Sequence, residues 1–172
     1  MRMHPINPAE TVIAPFFDKD LFNPAEWSLK ESEYVENLST CWLYNASISW
    51  DKAQAQKEIA TWQWAGKLDV SGYDGFFLQA SISSWVILEF SVKVDGLWQM
   101  ISTKRGCGAH EEYEGDFKGN NLEGIKLTFI SLSDTAGAFN SYYLGVYNKK
   151  KLKDWLDYEN PQIGRASCRE RV

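Results

Sequence analysis

Two tryptophans, Trp62 and Trp64, stand two residues apart in the stretch TWQWAG, so a regular strand carries both on one side. Indole and phenol rings can stack on the apolar C–H face of a sugar, while amide or carboxylate groups beside them bond to its hydroxyls. Tyr113 and Tyr143 join the two tryptophans as the rings best suited to such a ligand face, and Trp42, Trp50, Tyr73, Trp98 and Tyr147 are further candidates. Large rings also fill the cores of β-proteins, so a buried role competes at each position. Trp85 opens the most apolar run and belongs with the core. Trp98 and Tyr147 point away from the clearer apolar set, an assignment that a one-residue register slip reverses.

The acidic stretch HEEYEGD offers Glu112, Glu114 and Asp116 as ligands for a structural calcium ion, which takes carboxylate and carbonyl oxygens. The spacing matches no EF-hand, and a solvated acidic loop accounts for the same letters. Cys107 and His110 form a C-x-x-H pair, but a structural zinc site needs four ligands and the other histidine is distant His4. Catalytic residues do not emerge. Neither histidine has a nucleophile elbow around it, many carboxylate pairs could meet the spacing of a glycosidase, and RGCGAH lacks the strand-to-helix setting of a phosphate loop.

The chain has 172 residues, eight tryptophans and 15% aromatic residues. Its last ten, IGRASCRERV, hold three arginines and one glutamate with no apolar period. With ordinary codons they read ATC GGA AGA GCG TCG TGT AGG GAA AGA GTG, one frame of a common short-read library adapter. They are set aside as adapter read-through joined to a truncated gene. The remainder carries 15 Lys+Arg against 22 Asp+Glu, a net charge of -7. That balance argues against nucleic acid, whose binding rests on cationic side chains neutralising phosphates. The run Lys149-Lys150-Lys151 reads as a solvated segment. Cys41 and Cys107 are left as either one disulfide or two buried thiols. No apolar run approaches the ~20 residues that span a bilayer. The start, broken by Pro5, Pro8 and Pro15, lacks a secretory core and reads as cytoplasmic; a lost true N-terminus would make the protein periplasmic or secreted.

The elements that would position these side chains are strands. WVILEFSVKV sets Val86, Leu88, Phe90, Val92 and Val94 on one face and Ile87, Glu89, Ser91 and Lys93 on the other. Asp95-Gly96 then predicts a type I′ hairpin into LWQMIST. IKLTFISL puts Ile125, Leu127 and Phe129 together, and SYYLGVYN sets Tyr142, Leu144 and Val146 against Tyr143, Gly145 and Tyr147. DKAQAQKEIA, residues 51–60, has helix-forming composition but few apolar positions, and is expected as a short surface helix or a loop. Strands without a core helix predict an all-β fold, an antiparallel β-sandwich of jelly-roll type. The expected order is an irregular lead-in over 1–37 that lies on the domain, a sandwich over 38–148, and a linker or short helix over 149–162 before the tail at 163–172.

TWQWAGKLDVSGYDGFFLQAS, WVILEFSVKVDGLWQMIS, YEGDFKGNNLEGIKLTFISLS and YYLGVYN together resemble galactose-binding-like jelly rolls, over roughly residues 40–148. Such domains often serve as carbohydrate-binding modules or accessory domains of polysaccharide-degrading enzymes, and often carry a structural calcium. The resemblance implies a non-catalytic domain whose partners are a glycan or polysaccharide and a downstream catalytic domain. The alternative is a structural or protein-interaction β-sandwich whose rings are core or interface.

Overall fold

The structure, a computed structural model, describes residues 13–17, 27–41 and 46–148. The described residues form strands and turns, with no helix among them. One sheet, here sheet A, orders its strands β11 (His110–Asp116), β8 (Gly75–Ile82), β13 (Gly137–Tyr147), β5 (Ala46–Trp50) and β4 (Ser39–Cys41). Strand β1 (Ile13–Phe17) pairs with the Leu144–Tyr147 end of β13, beyond the reach of β5. Sheet B runs β10 (Leu97–Arg105), β9 (Val86–Val94), β12 (Asn121–Ser131), β7 (Lys57–Asp69) and β2 (Trp27–Glu31). A small third sheet joins β3 (Val35–Glu36) to β6 (Lys52–Ala53), and every pairing in the fold is antiparallel.

Period-two alternation builds the core. On β9, Val86, Leu88, Phe90, Val92 and Val94 are all buried, as are Ile125, Leu127 and Phe129 on neighbouring β12. Sheet A answers with Phe76, Leu78, Ala80 and Ile82 from β8 and Phe139, Leu144 and Val146 from β13. Rings interlock between the layers: Phe76 meets Phe90 edge-on at 6.4 Å, and Phe129 meets Phe139 at 4.8 Å. These are favoured aromatic geometries. The β9–β10 hairpin forms as its Asp-Gly turn requires, with φ of 50° at Asp95 and 81° at Gly96. The Asp95 carboxylate accepts from the backbone N–H groups of Asn120 and Asn121 and from the Asn121 amide, tying the hairpin to the approach of β12.

Residues 51–60 are neither the surface helix nor the exposed loop expected: they form β6, a turn at 55–56, and the first residues of β7. Helix-favouring composition gives way there because Ala53, Ile59 and Ala60 find burial against the sandwich, whereas a helix would have left them on the surface. The lead-in supplies sheet strands at both of its described segments, β1 to sheet A and β2 to sheet B. The linker or short helix expected over 149–162, and the tail after it, lie outside the described residues. Cys41 is an exposed free thiol, so it forms no disulfide with Cys107 and is not a buried one.

Candidate functional site

Three strands of sheet A present a chemically dense outer face. On β11 the alternation sends Glu111 and Tyr113 inward and leaves His110, Glu112, Glu114 and Asp116 outside. On β8 the inward set is Phe76, Leu78, Ala80 and Ile82, so Phe77, Gln79 and Ser81 face out. Register aligns these into rows across the sheet. His110 lies opposite Ser81, Glu112 opposite Gln79, and Glu114 opposite Phe77. On the other side of β8, Asn140 pairs with Ser81, Tyr143 with Gln79, and Tyr147 with Gly75.

Rings run through this face as a stripe. Tyr143 stacks on Phe77 with centroids 5.1 Å apart and planes at 24°, and Tyr147 approaches Phe77 from the other side at 6.1 Å. Tyr147 lies flat over Gly75, where a Cβ would overlap its ring. Its hydroxyl titrates well above the ordinary tyrosine range, first because of burial and then because Glu114, Asp116 and Asp74 disfavour a phenolate. At the other end Tyr142 rests against His110 at 4.1 Å and its hydroxyl bonds with that of Ser81 at 3.2 Å. Phe77 and Tyr143 are half-buried, held firmly yet reachable, and Tyr142 is exposed, whereas Tyr147 is buried and backs Phe77 from below the reachable surface. Gln79, Asn140 and the β11 carboxylates flank the rings with donors and acceptors.

The expected alternation on β13 fails at one residue. Phe139 and Ser141 point inward, as do Leu144 and Val146, so the parity changes between them. The pairing with β8 shows why: its register shifts between Ser141 and Tyr143, a bulge with Tyr142 as the extra residue. Tyr142 therefore does not share the face of Leu144 but stands outside.

The ring positions chosen from sequence divide sharply. Trp62 and Trp64 do share one side of β7, but it is the inner side, with 1% and 2% exposure. Trp62 meets Trp27 at 4.8 Å and Phe139 at 6.1 Å, deep between the layers. Tyr113 is fully buried, its hydroxyl pushed well up by desolvation and then by Glu111. None of these three can stack on an external ligand. Tyr143 belongs to the outer face, beside Phe77, Gln79, Asn140 and Tyr142, which sequence reasoning did not single out for the site. Trp50 and Tyr73 are core, Trp42 lies outside the described residues, and Trp85 is half-buried with its indole N–H donating to the Ala136 carbonyl at 3.0 Å. Trp98 does face outward, but from sheet B, where the Lys126 ammonium sits 4.4 Å from its ring centre.

Glu112, Glu114 and Asp116 lie on a strand rather than a loop. At alternate positions their backbones stand roughly 7 Å apart in sequence, an extended row that does not converge on one small cation. Among the described residues no group of three or more His, Cys, Asp or Glu is placed to hold a metal ion. The inward member of the stretch, Glu111, is 2% exposed and faces the Lys104 ammonium of β10 at 3.4 Å. Lys104 also donates to the Glu112 carbonyl at 2.6 Å and caps the Tyr113 ring at 4.6 Å, closing the side of the sandwich where β10 meets β11.

No family model matches the chain, and no curated protein matches it by sequence. Solved structures match its fold. An agarase, AgWH50C, aligns with a TM-score of 0.56 at 14% identity, over 80% of this chain and 25% of the agarase. The chain thus spans a quarter of that enzyme's length. A xylan-binding module, CBM15, aligns at 0.51 and 8% identity over 80% of this chain and 96% of the module. A family 29 carbohydrate-binding module, CBM29-2, in a mutant form complexed with cellulohexaose, aligns at 0.50 and 8% identity over 79% and 91% of the two chains. The fold is that of the β-sandwich carbohydrate-binding modules. At these identities the likeness speaks for architecture alone.

Proposed function

We propose that this domain is a non-catalytic carbohydrate-binding domain, using the outer face of sheet A, and that it serves at the front of a polysaccharide-degrading enzyme. The observation that carries the reading is the stripe Tyr142, Tyr143 and Phe77, backed by the buried ring of Tyr147 and set among Gln79, Asn140, Glu112 and Glu114. Ring faces take up the C–H surface of a sugar, and the flanking amides and carboxylates bond to its hydroxyls. Tyr147 keeps its phenolic proton across the working range. The face binds and orients; it makes and breaks no bond. A matching fold within a quarter of an agarase supports the accessory placement.

The test is a glycan array with the purified chain, followed by calorimetry on the best ligand. Phe77→Ala and Tyr143→Ala should each weaken binding by about tenfold, equivalent to ~1.4 kcal/mol, with little change in unfolding midpoint. Absence of binding to every polysaccharide, or unchanged binding by both variants, refutes the proposal.

One observation favours the protein-interaction reading. On sheet B, Trp98 and Met100 expose 40% and 54% of their surface at alternate positions of β10, and Leu97, beside the turn, exposes 70%. Surface apolar clusters mark interfaces. If Leu97→Ser and Met100→Ser abolish association with a partner while glycans never bind, that reading prevails.

A further inference from the structure

Consecutive residues on a regular strand point to opposite faces, yet Tyr142 and Tyr143 both stand on the outer face of sheet A. The β13 bulge makes this arrangement, since Ser141 before it and Leu144 after it are both buried. The two phenols then diverge. Tyr142 crosses β8 at Ser81 to reach His110 on β11, while Tyr143 turns the other way along β8 to stack on Phe77. Ser81 and Phe77 are four residues apart on one strand, which is about 13 Å. One sugar ring cannot touch both groups, but one extended chain can.

Building on the carbohydrate-binding reading, we propose that Tyr142 and His110 form a second sugar subsite, separate from the Phe77–Tyr143 subsite. The inserted residue at the bulge makes the face a two-point grip. The ligand class is then an extended oligosaccharide or internal polysaccharide segment lying along β8, rather than a single sugar. Ser81 and Asn140, paired across the same row, supply hydroxyl and amide partners at the Tyr142 end, and Gln79 stands between the two stations. Tyr142 is 38% exposed, so its ring is available without rearrangement of the core.

Calorimetry with the disaccharide-to-hexasaccharide series from agarose, xylan, cellulose and mannan reads this directly. Affinity should climb with chain length until both stations are bridged. Tyr142→Ala should weaken the longest ligand about tenfold while leaving the shortest binding ligand unchanged, and Tyr142→Phe should retain most of the gain. Phe77→Ala should weaken ligands of every length. If Tyr142→Ala binds long chains like the wild type, or loses short and long ligands equally, the second subsite is wrong while the Phe77 platform stands. If no length of any series binds, both readings fall.

Discussion

Replacing Trp62 by alanine should damage the fold and not the ligand face. The indole is 1% exposed, lies between Trp27 and Phe139, and sits opposite Leu127 on β12 and Leu29 on β2. A buried tryptophan removes about 200 Å² from water, and at ~25 cal/mol per Å² that is ~5 kcal/mol. Measured truncations of large core aromatics cost ~3–5 kcal/mol, because the neighbours relax only partly into the cavity. With total stability of ~5–15 kcal/mol for a domain, such a loss is severe but can leave a folded population. Urea unfolding followed by tryptophan fluorescence and far-ultraviolet circular dichroism measures it. For m of ~2 kcal/mol/M, a loss of ~4 kcal/mol lowers the midpoint by ~2 M. Trp62→Phe should recover more than half of that. Glycan affinity per folded molecule should stay within about twofold of wild type for both variants. An unchanged urea midpoint together with abolished glycan binding would refute the inward assignment of β7, and with it the choice of sheet A as the binding face.

Three more perturbations probe the parts that support the face. Gly75→Ala should push the Tyr147 ring off β8, costing ~1–3 kcal/mol of stability and weakening glycan binding, read by thermal unfolding and calorimetry on the same samples. Lys104→Ala should cost about 3 kcal/mol, because it removes the ammonium facing the buried Glu111 carboxylate; adding Glu111→Gln should recover part of it, as a double-mutant cycle in urea will show. Asp95 is held below the ordinary carboxylate range, first by the Asn120 backbone N–H and then by the Asn121 side chain. A depressed folded-state pKa contributes stability above the unfolded value of ~3.9 and loses it as pH falls through the folded value. The melting-temperature advantage of wild type over Asp95→Asn should therefore be full near neutrality and shrink on acidification from about pH 4 downward.

Much of the sandwich is legible in the letters because burial imposes a period of two. Where every second residue is aliphatic, as from Val86 to Val94, face and neighbour follow at once, and the Asp95-Gly96 turn announces its own hairpin. The binding face is harder, since a tryptophan satisfies the core and the ligand platform equally well. The deciding signal lay in the intervening residues. Thr61 and Gln63 are polar and occupy the opposite parity to Trp62 and Trp64, and His110, Glu112, Glu114 and Asp116 fill the opposite parity to Tyr113. Rings whose alternate neighbours are hydrophilic point inward, which is the outcome for all three.

The same rule would have found Phe77, because its alternate neighbours Phe76 and Leu78 are the apolar ones. It could not have found Tyr142. A bulge inserts one residue and reverses parity for everything after it, and SYYLG carries no glycine or proline at the insertion to mark the place. Its position becomes visible only when Ser141 and Leu144 are both seen buried and β8 supplies an uninterrupted ruler beside them. A site built on a break in alternation is hidden from any reading that assumes alternation. Strict alternation sends the two adjacent tyrosines to opposite faces, and the bulge that breaks it is what sets both on one.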